Sequence, residues 1–315
     1  MDVVNIDEKS PYKGKCVLAI GMFDGLHKGH ADVVKETKKL AKKCAAIPCV
    51  LTFDPHPSQI IQMGRPPAKM IFPPKQRARE FEKAGIKKVF EIKFTKDFAK
   101  LTPLQFASLL KEKFPRLKGV VTGFNFVFGF KAAGNTHTLA KLSEEFGWEF
   151  RAVKGKYLDD GRRISSSLMR TAVDKANFGL YEKIKGRVYS FCGKARRGKR
   201  MGAKLNFPTI NIPWNPDCKP PFGAYAVEIK RLKTNKKYRG VASYGTSPTL
   251  GETEPLVEVN LFKDVDFGAP ETFEVKMLKF LRKQKKFKSL SALVNEIARD
   301  KIKAQSYFDS LKSPQ

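Results

Sequence analysis

Through the first half of the chain, short apolar, β-prone runs alternate with stretches whose apolar positions recur three and four residues apart. Residues 16–20 are uninterruptedly apolar. Val33, Val34, Thr37, Leu40 and Ala41 follow at helical spacing, with lysines and glutamates between them. The beat then repeats. A strand is predicted over 48–53, ended by Pro55 and Pro57, then a helix over 75–84 stopped by Gly85, then a strand over 88–94. Thr102 and Pro103 have the cap and first-turn chemistry for a helix carrying Phe106, Leu109 and Leu110. A strand over 119–123, a helix over 139–146, a strand over 148–153 and a helix opening within 163–170 complete the series. Strands alternating with helices predict a parallel sheet covered on both faces, with ligands bound beyond the carboxyl ends of its strands.

From about Gly179 the pattern changes. Strands over 188–192, 224–232, 238–244, 256–262 and 273–281 follow one another through turns rich in Gly, Pro and Asn, which predicts a small antiparallel β-barrel. One helix ends the chain, capped by Ser289 or Ser291. Its Leu290, Leu293, Val294, Ile297 and Ile302 form a stripe predicted to pack against the barrel. The chain therefore reads as α/β plus β, with domains at 1–182 and 183–315.

Composition narrows the function classes. With 42% hydrophobic residues and 25 Phe among 315, the chain is long and apolar enough to fold as two cored domains. No apolar run approaches the roughly 20 residues of a membrane helix. The first residues lack the basic-then-apolar form of a signal peptide, so a cytoplasmic protein with no membrane partner is expected. The cysteines at 16, 44, 49, 192 and 218 contain no C-x-x-C pair and read as reduced thiols rather than disulfides or a zinc site. A net charge of +30 attracts anions. It is spread along the whole chain, so adventitious RNA binding is compatible with it but specific nucleic-acid recognition is not implied. The oligomeric state is left open.

Candidate chemistry concentrates where the first strand meets the first helix. Gly21, Phe23, Asp24, Gly25, His27, Gly29 and His30 lie at that junction, where backbone N–H groups and a positive dipole end can face a phosphate. His27 and His30 can both donate to oxygens of one phosphoryl group, and Gly25 and Gly29 allow close backbone approach. His56 ends the second strand, and Asn125 lies in the glycine- and Phe-rich loop 123–130. Arg163, Ser165, Ser166, Ser167 and Arg170 open a later helix with hydroxyls and fork-shaped cations. The set suits phosphoryl or nucleotidyl transfer. In the second half, the basic, glycine-spaced segment 193–211 contains Gly198 and Gly202 and ends at Thr209 and Asn211. On an extended segment the last two face one way and can serve one metal–phosphate group. On residues alone, a basic surface loop and an RNA-binding loop remain open beside that reading.

These stretches together resemble the prokaryotic bifunctional riboflavin kinase/FAD synthetases. The first-half set resembles their FAD synthetase module, a Rossmann-like domain of the H-x-G-H nucleotidyltransferases. That resemblance implies attack by the phosphate of FMN on the α-phosphorus of ATP, giving FAD and pyrophosphate with Mg²⁺. His27 and His30 would steady the α-phosphate, Asn125 would fall in the flavin/nucleotide loop, and Ser165, Ser166 and Arg170 would grip the triphosphate. Ser167 stands where the family usually has threonine. In the second half, residues 208–211, 221–225, 245–249 and 257–260 resemble the riboflavin kinase module. This implies conversion of riboflavin and ATP to FMN, with Mg²⁺ and ATP phosphates held by Thr209 and Asn211 and with Glu258 as general base. Asn206, Ser247, Asn260 and Gln284 depart from the family's usual Gly, Arg, His and Glu. Two other readings stand beside the bifunctional one: an FMN adenylyltransferase with a degenerate kinase-like domain, and an RNA-binding protein on the same scaffold.

Overall fold

Strand β2 (Cys16–Ile20) is buried along its whole length, and its neighbours explain why. It lies at the centre of a six-stranded parallel sheet ordered β1-β4-β3-β2-β5-β6, with β1 (Val3–Asn5), β3 (Ile47–Asp54), β4 (Lys88–Lys93), β5 (Leu117–Gly123) and β6 (Glu149–Val153). This computed structural model describes residues 3–6, 11–61, 64, 66–196, 209–247, 252–263, 265 and 271–311. Contacts divide the chain into two compact units, residues 1–169 and 170–315.

In the first unit, α1 (Lys28–Lys43) buries Val33, Val34, Thr37, Leu40 and Ala41 against β2, β3 and β5. Helices α4 (Pro103–Lys113) and α5 (Thr136–Glu145) contribute Phe106, Leu110, Leu139 and Leu142 to the core on the opposite face, beside Leu18, Leu51, Phe90 and Val120. Helix α4 starts with a full capping box, Thr102 accepting from the Gln105 N–H and Gln105 reaching back to the Thr102 N–H. Helices α2 (Pro57–Ile60) and α3 (Pro74–Lys83) link β3 to β4. From β2 the chain winds outward to β3 and β4, then returns to β5 on the other side of β2. The direction of winding therefore reverses between β2 and β5, the place where such sheets open a crevice at their carboxyl ends. The sheet has one strand more than the sequence predicts. β1 adds outside β4 through three residues, too few to show a period.

The division falls inside α6 (Ser166–Asp174), so α7 (Phe178–Lys185) belongs to the second unit. Phe178 stacks on Tyr189, Tyr181 meets the same ring edge-on, and Phe178 also reaches Tyr225. The sequence boundary at 182/183 followed the change in periodicity, whereas these ring contacts join α7 to the strands after it.

The second unit is a six-stranded antiparallel sheet ordered β7-β12-β9-β10-β11-β8. Its strands are β7 (Ser190–Lys194), β8 (Thr209–Pro213), β9 (Gly223–Arg231), β10 (Lys237–Ser247), β11 (Glu252–Leu261) and β12 (Thr272–Lys283). The sheet curls until its two edges meet at one bridge, where the Arg196 N–H donates to the Asn211 carbonyl at 2.8 Å. The inner face is aromatic. Trp214 stacks on Phe191 and touches Tyr244, burial pushes the phenols of Tyr189, Tyr225 and Tyr244 up, and the Tyr225 hydroxyl donates to the Pro221 carbonyl.

Helix α8 (Leu290–Ser310) covers part of the outer face, with Ser289 as its cap. One member of the predicted stripe departs from it: Ile302 is 66% exposed, while Ala304 and Phe308 pack on Ala226 and Val241. Buried Glu296 and Asp300 lie on the packed side because Arg282 of β12 is there to meet them, at 3.2 Å and 2.7 Å. A buried carboxylate is tolerable only with such a partner.

Candidate active sites

The turn after β2 is built from unusual backbone. Phe23, Gly25 and Leu26 all have positive φ, at 50°, 76° and 41°. Two contacts hold this coil in place. The Asp24 carboxylate, 1% exposed, accepts from the N–H groups of Ile71 (2.9 Å) and Phe72 (3.4 Å). The Asp24 carbonyl accepts from the Ser166 hydroxyl at 2.8 Å, tying the turn to the start of α6. A Cβ on Gly25 would lie 2.6 Å from the Met169 sulfur and 2.9 Å from Ile71. Both strain and overlap therefore oppose any side chain at Gly25. Gly25→Ala is expected to destabilise the first unit by about 1–3 kcal/mol, the usual cost of overpacking, and to depress activity at the adjoining cavity. Urea denaturation followed by Trp148 fluorescence measures the first effect.

The turn delivers two imidazoles side by side. His27 and His30 stack with ring centroids 3.7 Å apart and planes 14° from parallel, and the edge of Phe23 packs on His30. The His27 ring also caps α1, its Nδ1 accepting the His30 N–H at 3.2 Å. A nitrogen that accepts carries no proton, so a neutral His27 holds its proton on Nε2. A Cβ on Gly29 would come within 3.2 Å of the His27 ring, so this glycine makes room for the imidazole.

His27, Gly29 and His30 line a cavity of about 1040 Å³ at the carboxyl ends of β2 and β5. Gly21, Phe23, Asn125, Arg163, Ser165, Ser166 and Ser167 line it too, so most residues picked out by sequence converge there. Ser165 caps α6, accepting the Leu168 N–H at 3.2 Å. Arg163 lies over the ring of Phe124 at 5.8 Å. Four of the predicted residues do not line the cavity. Asp24 and Gly25 shape the turn, as described. His56 caps α2, its Nδ1 accepting the Ser58 N–H at 3.1 Å. Arg170 is half-buried on α6, beyond the serines.

Sequence reasoning missed much of the wall. Phe53, Phe94, Phe98 and Phe106 come from separate elements and join Phe126 and Phe128 of the loop, giving flat apolar sides wide enough for a fused ring system. Lys96, Lys131, Lys154 and Lys156 add positive charge. The signal available was the phenylalanines clustered at strand ends, but only folding brings them together.

The second set of candidates lies on the outer face of the curled sheet. In the β8–β11 register, Asn211 pairs with Glu258 and Thr209 with Asn260. Paired residues on adjacent strands project to one face with Cβ atoms about 5 Å apart, so the four form a compact polar square. Ser243 of β10 pairs with Glu258 from the other side. Among the departures, Gln284 donates from Nε2 to the Thr246 carbonyl at 3.0 Å, a bond that an ionised glutamate could not make. Gly198, Gly202 and Asn206 lie outside the described residues, and for Ser247 only the backbone is described. The donor set suits Mg²⁺, which takes hard oxygens and keeps waters and phosphates in its shell. A hydroxyl, an amide oxygen and a carboxylate meet at this square.

Comparison with known proteins finds a family for each half of the chain. Residues 9–168 match the FAD synthetase family and residues 185–308 the riboflavin kinase family. The chain is 31% identical over 304 residues to the bifunctional riboflavin kinase/FMN adenylyltransferase of Escherichia coli (strain K12), covering 96% of each protein. It is 31% identical over 307 residues to the protein of the same name from Bacillus subtilis (strain 168), covering 95% of each. A crystal structure described as a macrolide-efflux protein from Streptococcus pneumoniae superposes with a TM-score of 0.81 at 26% identity, covering 96% of this chain and 98% of that one.

Proposed function

Because the chain belongs to the bifunctional riboflavin kinase/FMN adenylyltransferase family, we propose that its two chemistries are carried by the two residue sets just described. The enzyme phosphorylates riboflavin with ATP to FMN and adenylylates FMN with ATP to FAD. The juxtaposition of His27 and His30 at the head of α1, inside a Phe-walled cavity, is the observation that carries the site assignment.

In the first unit the Phe walls hold the flavin ring. His27 and His30 donate to the non-bridging oxygens of the ATP α-phosphate. An FMN phosphate oxygen bonds to that phosphorus as its bond to the β-phosphate oxygen breaks and pyrophosphate leaves. Charge building on the α-phosphate oxygens is met by donors already in place. Ser165, Ser167 and Arg163 face the rest of the triphosphate, while Asp24, Gly25 and Ser166 hold the turn and the start of α6 in register.

In the second unit Thr209 and Asn211 would hold Mg²⁺, which when bound would supply charge neutralisation on the transferred phosphoryl group. Glu258, in the neighbouring position, takes the proton from the 5′-hydroxyl of riboflavin as that oxygen attacks. A boundary between the two activities at 182/183 is supported by family matches that end at residue 168 and begin at residue 185. We place the enzyme in the cytoplasm, in keeping with its free cysteines. No helix among the described residues is long and apolar enough to cross a membrane.

One assay tests the assignment. Purified protein given riboflavin, ATP and Mg²⁺ is expected to form FMN and then FAD. Given FMN, ATP and Mg²⁺ it should form FAD directly, and chelation of the metal should stop both. Chromatography of the products reads all three. FAD from FMN without conversion of riboflavin would reduce the second unit to a structural domain.

A further inference from the structure

Lys156 occupies a position that neither the H-x-G-H turn nor the serine cluster accounts for. It lies in the segment after β6, which folds back on itself. The Tyr157–Arg163 bridge and the Leu158 N–H to Arg162 carbonyl bond (2.9 Å) close a hairpin. The Ile164 N–H donates to the Lys156 carbonyl at 2.8 Å, which fixes Lys156 beside the entry to α6. Its side chain reaches the other helix start, with Nζ 2.9 Å from the Asp32 carboxylate of α1, two residues beyond His30. Lys156 also lines the cavity shared by the two histidines and Ser165, Ser166 and Ser167. One cation thus spans the two helix N-termini that converge on the phosphate-binding end of the cavity.

Its present partner is poorly suited to a purely structural role. The side chains of Lys156 and Asp32 are 44% and 38% exposed, and an ion pair that wet adds little to stability. A carboxylate this close to the α1 N-terminus also repels an incoming phosphate. We propose that Lys156 is a substrate-binding residue of the adenylyltransferase site, held by Asp32 in the free enzyme and transferred to a phosphoryl oxygen when substrate enters. Asp32 then acts as a competing anion that sets the affinity. The ligand class is a phosphoryl group, carried by ATP or by FMN. The proposal rests on the reading that this cavity forms FAD.

The two partners then have opposite signatures. Lys156→Met is expected to raise KM for the phosphate-bearing substrate roughly 10–100-fold, the range for a lost hydrogen bond to a charged group. Lys156→Arg should recover most of that loss. Asp32→Asn is expected to lower the same KM, by roughly two- to fivefold, the worth of an exposed pair. Separate titrations of ATP and FMN identify the phosphate, since only the KM of the substrate that Lys156 touches should move. Thermal melting and riboflavin phosphorylation check that each variant is folded. A pair that merely staples the 156–164 hairpin to α1 predicts that both substitutions shift KM or melting temperature the same way, and that result overturns the proposal. Unchanged KM values in Lys156→Met overturn it equally. Wild-type protein that forms no FAD sinks the underlying reading instead.

Discussion

His30→Ala is expected to abolish detectable FAD formation from FMN and ATP while riboflavin is still converted to FMN, so that FMN accumulates. The backbone is not the casualty of this change. The His30 N–H that bonds to His27 Nδ1 is retained, and alanine is well suited to the first turn of α1. The imidazole is lost, and with it the edge contact to Phe23 and the face that holds the His27 ring in its stack. Removing a single donor aimed at developing charge lowers kcat by about 10²–10³-fold. Freeing the neighbouring ring adds to that, because positioning is most of what an enzyme supplies to phosphoryl transfer. KM for ATP should change much less than kcat, since the donors act on charge that develops only as the bonds exchange. The residues proposed for the kinase step, Thr209, Asn211 and Glu258, belong to the other compact unit, so FMN formation provides an internal control. Loss of both activities would show that the two sites are not independent.

The histidine turn also shows how far the sequence could be read. Period 2 and period 3.6 are local properties, and they located most of the parallel-sheet unit because its elements bury continuous faces. His27, His30 and Ser165 to Ser167 could be picked out because strand-to-helix turns converge at one end of such a sheet. Asp24 could not be read correctly, because its partners Ile71 and Phe72 lie 47 and 48 residues away and no local pattern announces them. The left-handed backbone at Phe23 and Leu26 was equally hidden, since neither residue type signals positive φ. In the terminal helix the apolar stripe pointed to Ile302, whereas Arg282 of β12 draws Glu296 and Asp300 inward. A charge partner in another element outweighed hydrophobic periodicity there. The lysines of the cavity have no sequence pattern at all, and Lys156 acquires meaning only from the hairpin that places it.

Glu258→Gln should produce the reverse of the histidine variant: FMN formation from riboflavin falls by about 10²–10⁴-fold, the contribution of a general base, while FAD formation from added FMN continues. The substitution is nearly isosteric and keeps an oxygen acceptor, so the sheet should be undisturbed. In the ladder Glu258 pairs with Asn211 on one side and Ser243 on the other, both neutral residues. What disappears is the capacity to accept a proton from the attacking hydroxyl. A carboxylate that served only to attract Mg²⁺ would behave differently, because raising the metal concentration would restore the rate. Rescue of Glu258→Gln by excess Mg²⁺ would therefore remove the base role and assign Glu258 to the metal, beside Thr209 and Asn211.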